Sequence, residues 1–276
     1  MELRHATHPT QVPTFDTAAL RENYLVDNLF AAGELRATYT HEDRIVLAGA
    51  VPTDSAIRMT SFDQLRTEIF FERREAGIVN VGGSGSVTVD GERHPMEKGS
   101  CLYVGRGAVE VDFASDAAGD PAAFYVFSAP AHASYPTTLT RAGEGTRRQL
   151  GSSETSNERT INQYIHADGV RSCQVVMGVT ELQTGSMWNT MPAHTHDRRT
   201  ECYLYFDVAP EHRVVHIMGE PTESRHLIVA DREAVISPSW SLHCGFGTGS
   251  YSFVWAMAGE NQAFDDMDHV QPSELR

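Results

Sequence analysis

His194-Thr195-His196, with Glu201 five residues on and His243 further along the chain, is a set of side chains that could hold a metal ion. On an extended strand, successive side chains point to opposite faces. The spacing therefore aims the imidazoles of His194 and His196 at one point and turns Thr195 away. Glu201 follows the polar stretch Asp197-Arg198-Arg199, where a bend brings its carboxylate to the same point. His243 arrives from a separate strand, after the turn signal in Ser237-Pro238-Ser239-Trp240. Three neutral imidazoles and one carboxylate make a donor set suited to a divalent transition metal. Two of 13 histidines falling at i, i+2 is unremarkable alone; the carboxylate and the later proline-then-histidine segment single this pair out. His94, His132, His166, His212, His216, His226 and His269 lack such partners and are expected to be surface or hydrogen-bonded histidines. Cys202 and Cys244 each adjoin a proposed ligand, and strand alternation turns both thiols away from the metal.

Positioning such a set requires short strands and tight turns, and the sequence is dominated by their signals. Residues 77–81, 86–90, 101–104, 109–113 and 124–127 read as strands in the first half. The pattern resumes at 160–165, 174–182, 188–193, 201–207, 213–218, 226–229, 234–236 and 252–257. Between these groups, residues 142–158 are rich in Gly, Ser, Thr, Glu and Arg and read as a linker. One helix is expected near the start, with Asp16 as its N-cap and a stripe of Leu20, Tyr24 and Asn28 flanked by Leu25 and Leu29. No G-x-G-x-x-G opens a helix and no phosphate-binding loop is present. The expected architecture is all-β, two antiparallel barrels with a few short helices. Residues 1–145 would form a half without metal ligands, serving packing or assembly, and residues 146–276 the metal-binding half.

Composition narrows the function. With 41% hydrophobic and 21% charged residues, the 276-residue chain is expected to fold around packed cores. A net charge of −15 argues against nucleic acid, whose phosphates need a basic surface. It also requires that an anionic substrate be captured by a local arginine. No apolar run reaches the ~18–20 residues of a membrane helix. The N-terminus lacks the apolar core of a signal peptide, so a cytoplasmic protein with no membrane partner is expected. The four cysteines are scattered, without a C-x-x-C pair, and are expected to be free thiols. Lys98, the only lysine, lies in a turn-like stretch, which leaves lysine chemistry without a credible candidate.

The histidine pair, glutamate and later histidine resemble the metal set of the cupin superfamily. The string from Trp188 through Glu201, WNTMPAHTHDRRTE, is similar to the metal segment of the 5-keto-4-deoxyuronate isomerases, also called 4-deoxy-L-threo-5-hexosulose-uronate ketol-isomerases. The strings Ala234 to His243 and Gly259 to Asp268 resemble other motifs of that family, as do Phe71-Glu72-Arg73-Arg74-Glu75 and Ala129-Pro130-Ala131-His132. The resemblance spans nearly the whole chain. It implies a double-cupin (jelly-roll) fold, a homo-hexamer, and one Zn(2+) per subunit held by His194, His196, Glu201 and His243. It further implies a ketol-isomerase of pectin and polyuronide breakdown, acting on a small uronate.

The implied reaction converts 5-dehydro-4-deoxy-D-glucuronate to 3-deoxy-D-glycero-2,5-hexodiulosonate by moving a carbonyl from C1 to C2. Neither a redox cofactor nor a covalent nucleophile is needed. A metal acting as Lewis acid on the developing enediolate suffices, with open coordination positions beyond the protein ligands. The proton requires a general base, for which Glu201, alternating between ligand and base, is the catalytic candidate; Tyr203 and Tyr205 are alternatives. Arg159, Arg199 and Arg225, near strand ends, are candidates for the substrate carboxylate. Trp188 and Trp240 are candidates for pocket walls, though barrel packing is the commoner fate of tryptophan. A cupin dioxygenase using ferrous iron would present similar ligands, as would a non-catalytic sugar-binding cupin or a 5-deoxyglucuronate isomerase of inositol breakdown.

Overall fold

The computed structural model describes residues 1–276. Its strands build four sheets, two in each half, with the short strand Leu25–Val26 of the first half completing the large sheet of the second. In the first half a seven-stranded sheet accompanies a four-stranded one, and in the second a seven-stranded sheet accompanies a five-stranded one. The ladders are antiparallel except for the short parallel pair of Glu2–Arg4 with Leu35–Thr40. This is the all-β double-cupin architecture, with helices confined to short connecting pieces.

Side-chain alternation explains how the layers stack. In the strand Arg199–Phe206, Cys202, Leu204 and Phe206 point into a core of 26 buried residues shared by the two halves. Tyr203 and Tyr205 point the other way, into the interior of the second half. The strand Ser252–Gly259 repeats the division, with Val254, Ala256 and Ala258 on one face and Phe253, Trp255 and Met257 on the other. Leu47, Val79, Tyr125 and Phe127 of the first half complete the shared core. Both faces of these strands are buried, so they read as continuous apolar runs rather than alternating ones. Where the halves pack together, a Cβ on Gly77 would lie 2.3 Å from Met177 Sδ and 2.9 Å from Ile165 Cδ1.

Glu75 joins the halves through hydrogen bonds. It is fully buried and accepts from the Tyr103 hydroxyl and the Cys173 N–H, both at 2.7 Å. Its other oxygen accepts from the backbone N–H groups of Gln174 at 2.7 Å and Val175 at 3.0 Å. Ser172, just before this loop, accepts from the Gln262 side chain. Glu75 is thereby linked to the segment that carries Phe264 and Met267 to the functional cavity.

Three local features differ from the sequence expectation. The helix spans Thr17–Tyr24, with Asp16 accepting from the Ala19 N–H as its cap, and stops short of Asn28. Leu25 is extended because Leu25–Val26 pairs with Val235 and Ala234, joining the second half's large sheet. Residues 142–158 are not simply a linker, since Thr146–Leu150 forms a strand paired with Arg159–Ile165. All five of its residues are exposed, so its order comes from backbone pairing, which polar composition does not announce.

Candidate metal centre

The strand Trp188–Thr195 lies beside His243–Gly247, with His194 directly opposite His243. His196 sits just past the end of the first strand. The chain then turns and returns as Arg199–Phe206 in the seven-stranded sheet, placing Glu201 opposite the histidines. The imidazoles thus come from the small-sheet side and the carboxylate from the large sheet. All four side chains are buried, and one ligand atom from each lies within 4.8 Å of the others.

His243 Nε2 is 3.0 Å from His194 Nε2 and 2.9 Å from Glu201 Oε2, which in turn is 3.0 Å from His196 Nε2. Donors about 2.0–2.1 Å from a shared metal ion stand about 2.8–3.4 Å apart, depending on the angle between them, so the set has the spacing an ion requires. Two imidazole nitrogens at 3.0 Å need a shared proton or cation between their lone pairs. The outward nitrogens support the same reading. His196 Nδ1–H donates to the Arg199 carbonyl at 2.9 Å, and His243 Nδ1 faces the Ser241 carbonyl at 3.3 Å. Each bond leaves Nε2 as the inward donor, a common arrangement for metal-ligating histidine. Cys202 and Cys244 are buried away from the cluster, in the shared core and beside Ala193 and Leu242 respectively.

Electrostatics favour a cation. Burial, with His243 alongside, pushes His194 down to about 2, so it stays neutral. Burial raises Glu201, but the charge of His243 and hydrogen bonds from His196 and His243 outweigh it and hold the carboxyl below its usual range. Burial lowers His196, yet its hydrogen bond to Glu201 prevails and the net shift is upward. A metal ion bound at these four residues would take the place of the proton between His196 and Glu201.

A cavity of about 250 Å³ opens onto the cluster and is lined by His194 and Glu201. Its walls are largely apolar, with Ile161, Phe253, Trp255, Met257 and Phe264, and its polar groups include Arg148, Arg159, Thr190, Tyr203 and His269. Of the three arginines expected near the substrate, Arg159 alone lines this cavity. Its guanidinium is buried and donates to the Asn157 carbonyl at 2.9 Å. Arg199 is also buried, but it clamps the Ala263 and Asp266 carbonyls at 2.6 and 2.8 Å. Arg225 is tied to Glu223 and the Pro13 carbonyl, outside the cavity. Both are occupied by structural contacts that sequence position does not reveal.

The aromatic candidates divide similarly. Tyr203 lines the cavity, whereas Tyr205 lies off it and bonds through its hydroxyl to His216 Nδ1 at 2.8 Å. Neither expected tryptophan is a cavity wall: Trp188 stacks on Phe246 and Trp240 packs on Tyr24. Trp255 takes that place. Arg148, Thr190 and His269 escaped the sequence reading. His269 pairs directly with His194 in the sheet, a long-range register that only the fold creates.

Comparison with known proteins agrees with this geometry. The KduI/IolB family model matches residues 24–271. The chain is 64% identical to the 4-deoxy-L-threo-5-hexosulose-uronate ketol-isomerase of Kineococcus radiotolerans and 53% identical to that of Bacillus pumilus, with 100% of each chain covered. Among solved structures, an IolB-like protein from Salmonella typhimurium superposes with a TM-score of 0.68 at 15% identity, covering 92% of this chain and 98% of that one. A Bacillus subtilis oxalate decarboxylase gives 0.53 at 9% identity, covering 81% and 71%. These last two likenesses concern the fold.

Proposed function

Because this chain belongs to the KduI/IolB family, we infer that it is an aldose-ketose isomerase of pectin and polyuronide breakdown, a 4-deoxy-L-threo-5-hexosulose-uronate ketol-isomerase. It converts 5-dehydro-4-deoxy-D-glucuronate to 3-deoxy-D-glycero-2,5-hexodiulosonate. The observation that carries this reading at the level of chemistry is the three-histidine, one-glutamate cluster that borders a mostly apolar cavity through His194 and Glu201.

We assign the metal to His194, His196, Glu201 and His243, and propose zinc, one ion per subunit. A bound divalent ion supplies Lewis acidity at the reacting end of the substrate. The chain's own groups do the rest. The apolar walls exclude water, which strengthens each polar contact inside. Arg159, a buried cation with a protein carbonyl as partner, is suited to the uronate carboxylate, because a guanidinium can meet both carboxylate oxygens. One proton must leave C2 and one must reach C1. Glu201 uses Oε2 toward His196 and His243; its other oxygen is the candidate to move that proton. The first half supplies the shared core that supports this sheet, and we assign it packing and assembly.

We further propose a cytoplasmic homo-hexamer; no helix is long and apolar enough to cross a membrane. Supplying the deoxy-ketouronate to metal-assayed protein and following the C1 aldehyde by NMR tests the activity. Fully metallated protein that leaves the aldehyde intact would sink the isomerase reading. Elemental analysis and light scattering test zinc and the hexamer.

A further inference from the structure

The strand Trp188–Thr195 pairs with His243–Gly247 at Trp188, Asn189 and His194, but the register breaks between Asn189 and His194. Inside the break Thr190 stands at φ 54°, in the left-handed region. A β-branched residue is a genuine outlier there, and such strain persists where surrounding contacts impose it. The contacts are on its hydroxyl. Thr190 Oγ1 accepts from Asn189 Nδ2–H at 2.9 Å and lies 3.0 Å from the Tyr203 hydroxyl. Asn189 is itself held by the Tyr251 hydroxyl, which donates to its side-chain oxygen. Asn189, Tyr203 and Tyr251 are all buried. Thr190 and Tyr203 line the same cavity as His194 and Glu201.

This line of groups has one proton to spare. The amide nitrogen of Asn189 only donates, so it occupies an acceptor position on Thr190. One proton then joins the two hydroxyls, whichever of them donates. The other hydroxyl proton has no partner within the line, and Thr190 and Tyr203 both line the cavity. We propose that the Thr190–Tyr203 hydroxyl pair is a catalytic donor, giving a hydrogen bond to the substrate oxygen that gains charge as the carbonyl moves between C1 and C2. Because the pair can reverse its internal direction without moving a heavy atom, it can serve either oxygen. The strained backbone at Thr190 holds its hydroxyl against both Asn189 and Tyr203. This assignment rests on the isomerase reading above and adds to it two residues that bind no metal.

Thr190→Gly tests it, because glycine adopts positive φ without strain and removes only the side chain. The expected result is a folded protein, the relief of backbone strain offsetting part of the lost hydroxyl contacts, that binds zinc equally in a chelator competition. Its kcat falls about a hundredfold, the usual effect of losing one preorganised donor, with KM little changed. Thr190→Ser should recover most of the loss, and Tyr203→Phe should lower kcat comparably without loss of metal. A well-folded, zinc-loaded Thr190→Gly with kcat within twofold of wild type would overturn the proposal. So would a Thr190→Ser as impaired as Thr190→Gly, which would make the methyl or the backbone responsible. A metallated wild type that does not isomerise the uronate refutes the enzyme reading instead, so the two failures are distinct.

Discussion

Replacing Glu75 by glutamine changes one atom in a buried group, and the structure predicts a large effect. Both carboxylate oxygens accept two donors each, three backbone N–H groups and one phenol. Glutamine keeps one acceptor oxygen and places an NH2 where the other stood. If the amide oxygen serves Gln174 and Val175, the NH2 confronts the Cys173 N–H, leaving that donor unpaired at ~1–3 kcal/mol. The phenol can rotate to accept, and the surviving bonds lose charge assistance, about 1 kcal/mol each, partly offset because a buried charge no longer needs compensation. The net expectation is ~2–4 kcal/mol. At roughly 2–4 °C per kcal/mol for a chain of this size, Glu75→Gln should melt roughly 4–16 °C lower by calorimetry. The chain of contacts from residues 172–175 through Gln262 to the cavity wall adds a second readout, a higher KM. A variant melting within about 1 °C of wild type would refute the claim that Glu75 clamps the two halves.

Three further outcomes follow from the site. Removing the metal with a chelator, or deleting a ligand by His243→Ala, should lower stability; an ion at a hundred times its Kd contributes about 2.7 kcal/mol. Unchanged melting with and without chelator would argue against the four-residue site. Arg159→Lys should raise KM about 10–100-fold, since an ammonium cannot reproduce bidentate recognition, whereas Arg225→Ala should leave KM as it is; equal effects would remove Arg159 as the carboxylate clamp. For pH, burial, with His243 nearby, pushes His216 down to about 3. Below about pH 6.5 the unfolded chain protonates this histidine while the folded one does not. Stability of the metal-free protein should therefore fall as pH drops from about 6.5 toward 3, by up to ~1.4 kcal/mol per unit from this group. Urea midpoints for wild type and His216→Asn check it, and identical slopes would contradict it.

The clustering of His194, His196, Glu201 and His243 was legible because the physics that selects them is local. Alternation on a strand puts His194 and His196 on one side, and the same rule turns Cys202 and Cys244 away. Short strands between turn signals likewise disclosed the all-β fold. The long strings around these residues carried the family resemblance and, with it, the reaction.

What only the tertiary structure decided are the properties made by distant segments. Arg159, Arg199 and Arg225 look alike as sequence, each an arginine near a strand end. Arg199 meets two carbonyls of a later loop and Arg225 an early proline, which leaves Arg159 in the cavity. His269 is a solitary histidine until pairing sets it beside His194. Thr190 is an ordinary strand residue until the register break gives it a positive φ and aligns its hydroxyl with Tyr203. Leu25 continues a helical stripe until the edge of a sheet more than 200 residues away offers it backbone partners. Strand alternation acts over neighbours and survives in a bare sequence. Burial, hydrogen-bond competition and sheet register act between segments far apart in the chain, and they exist only once it has folded.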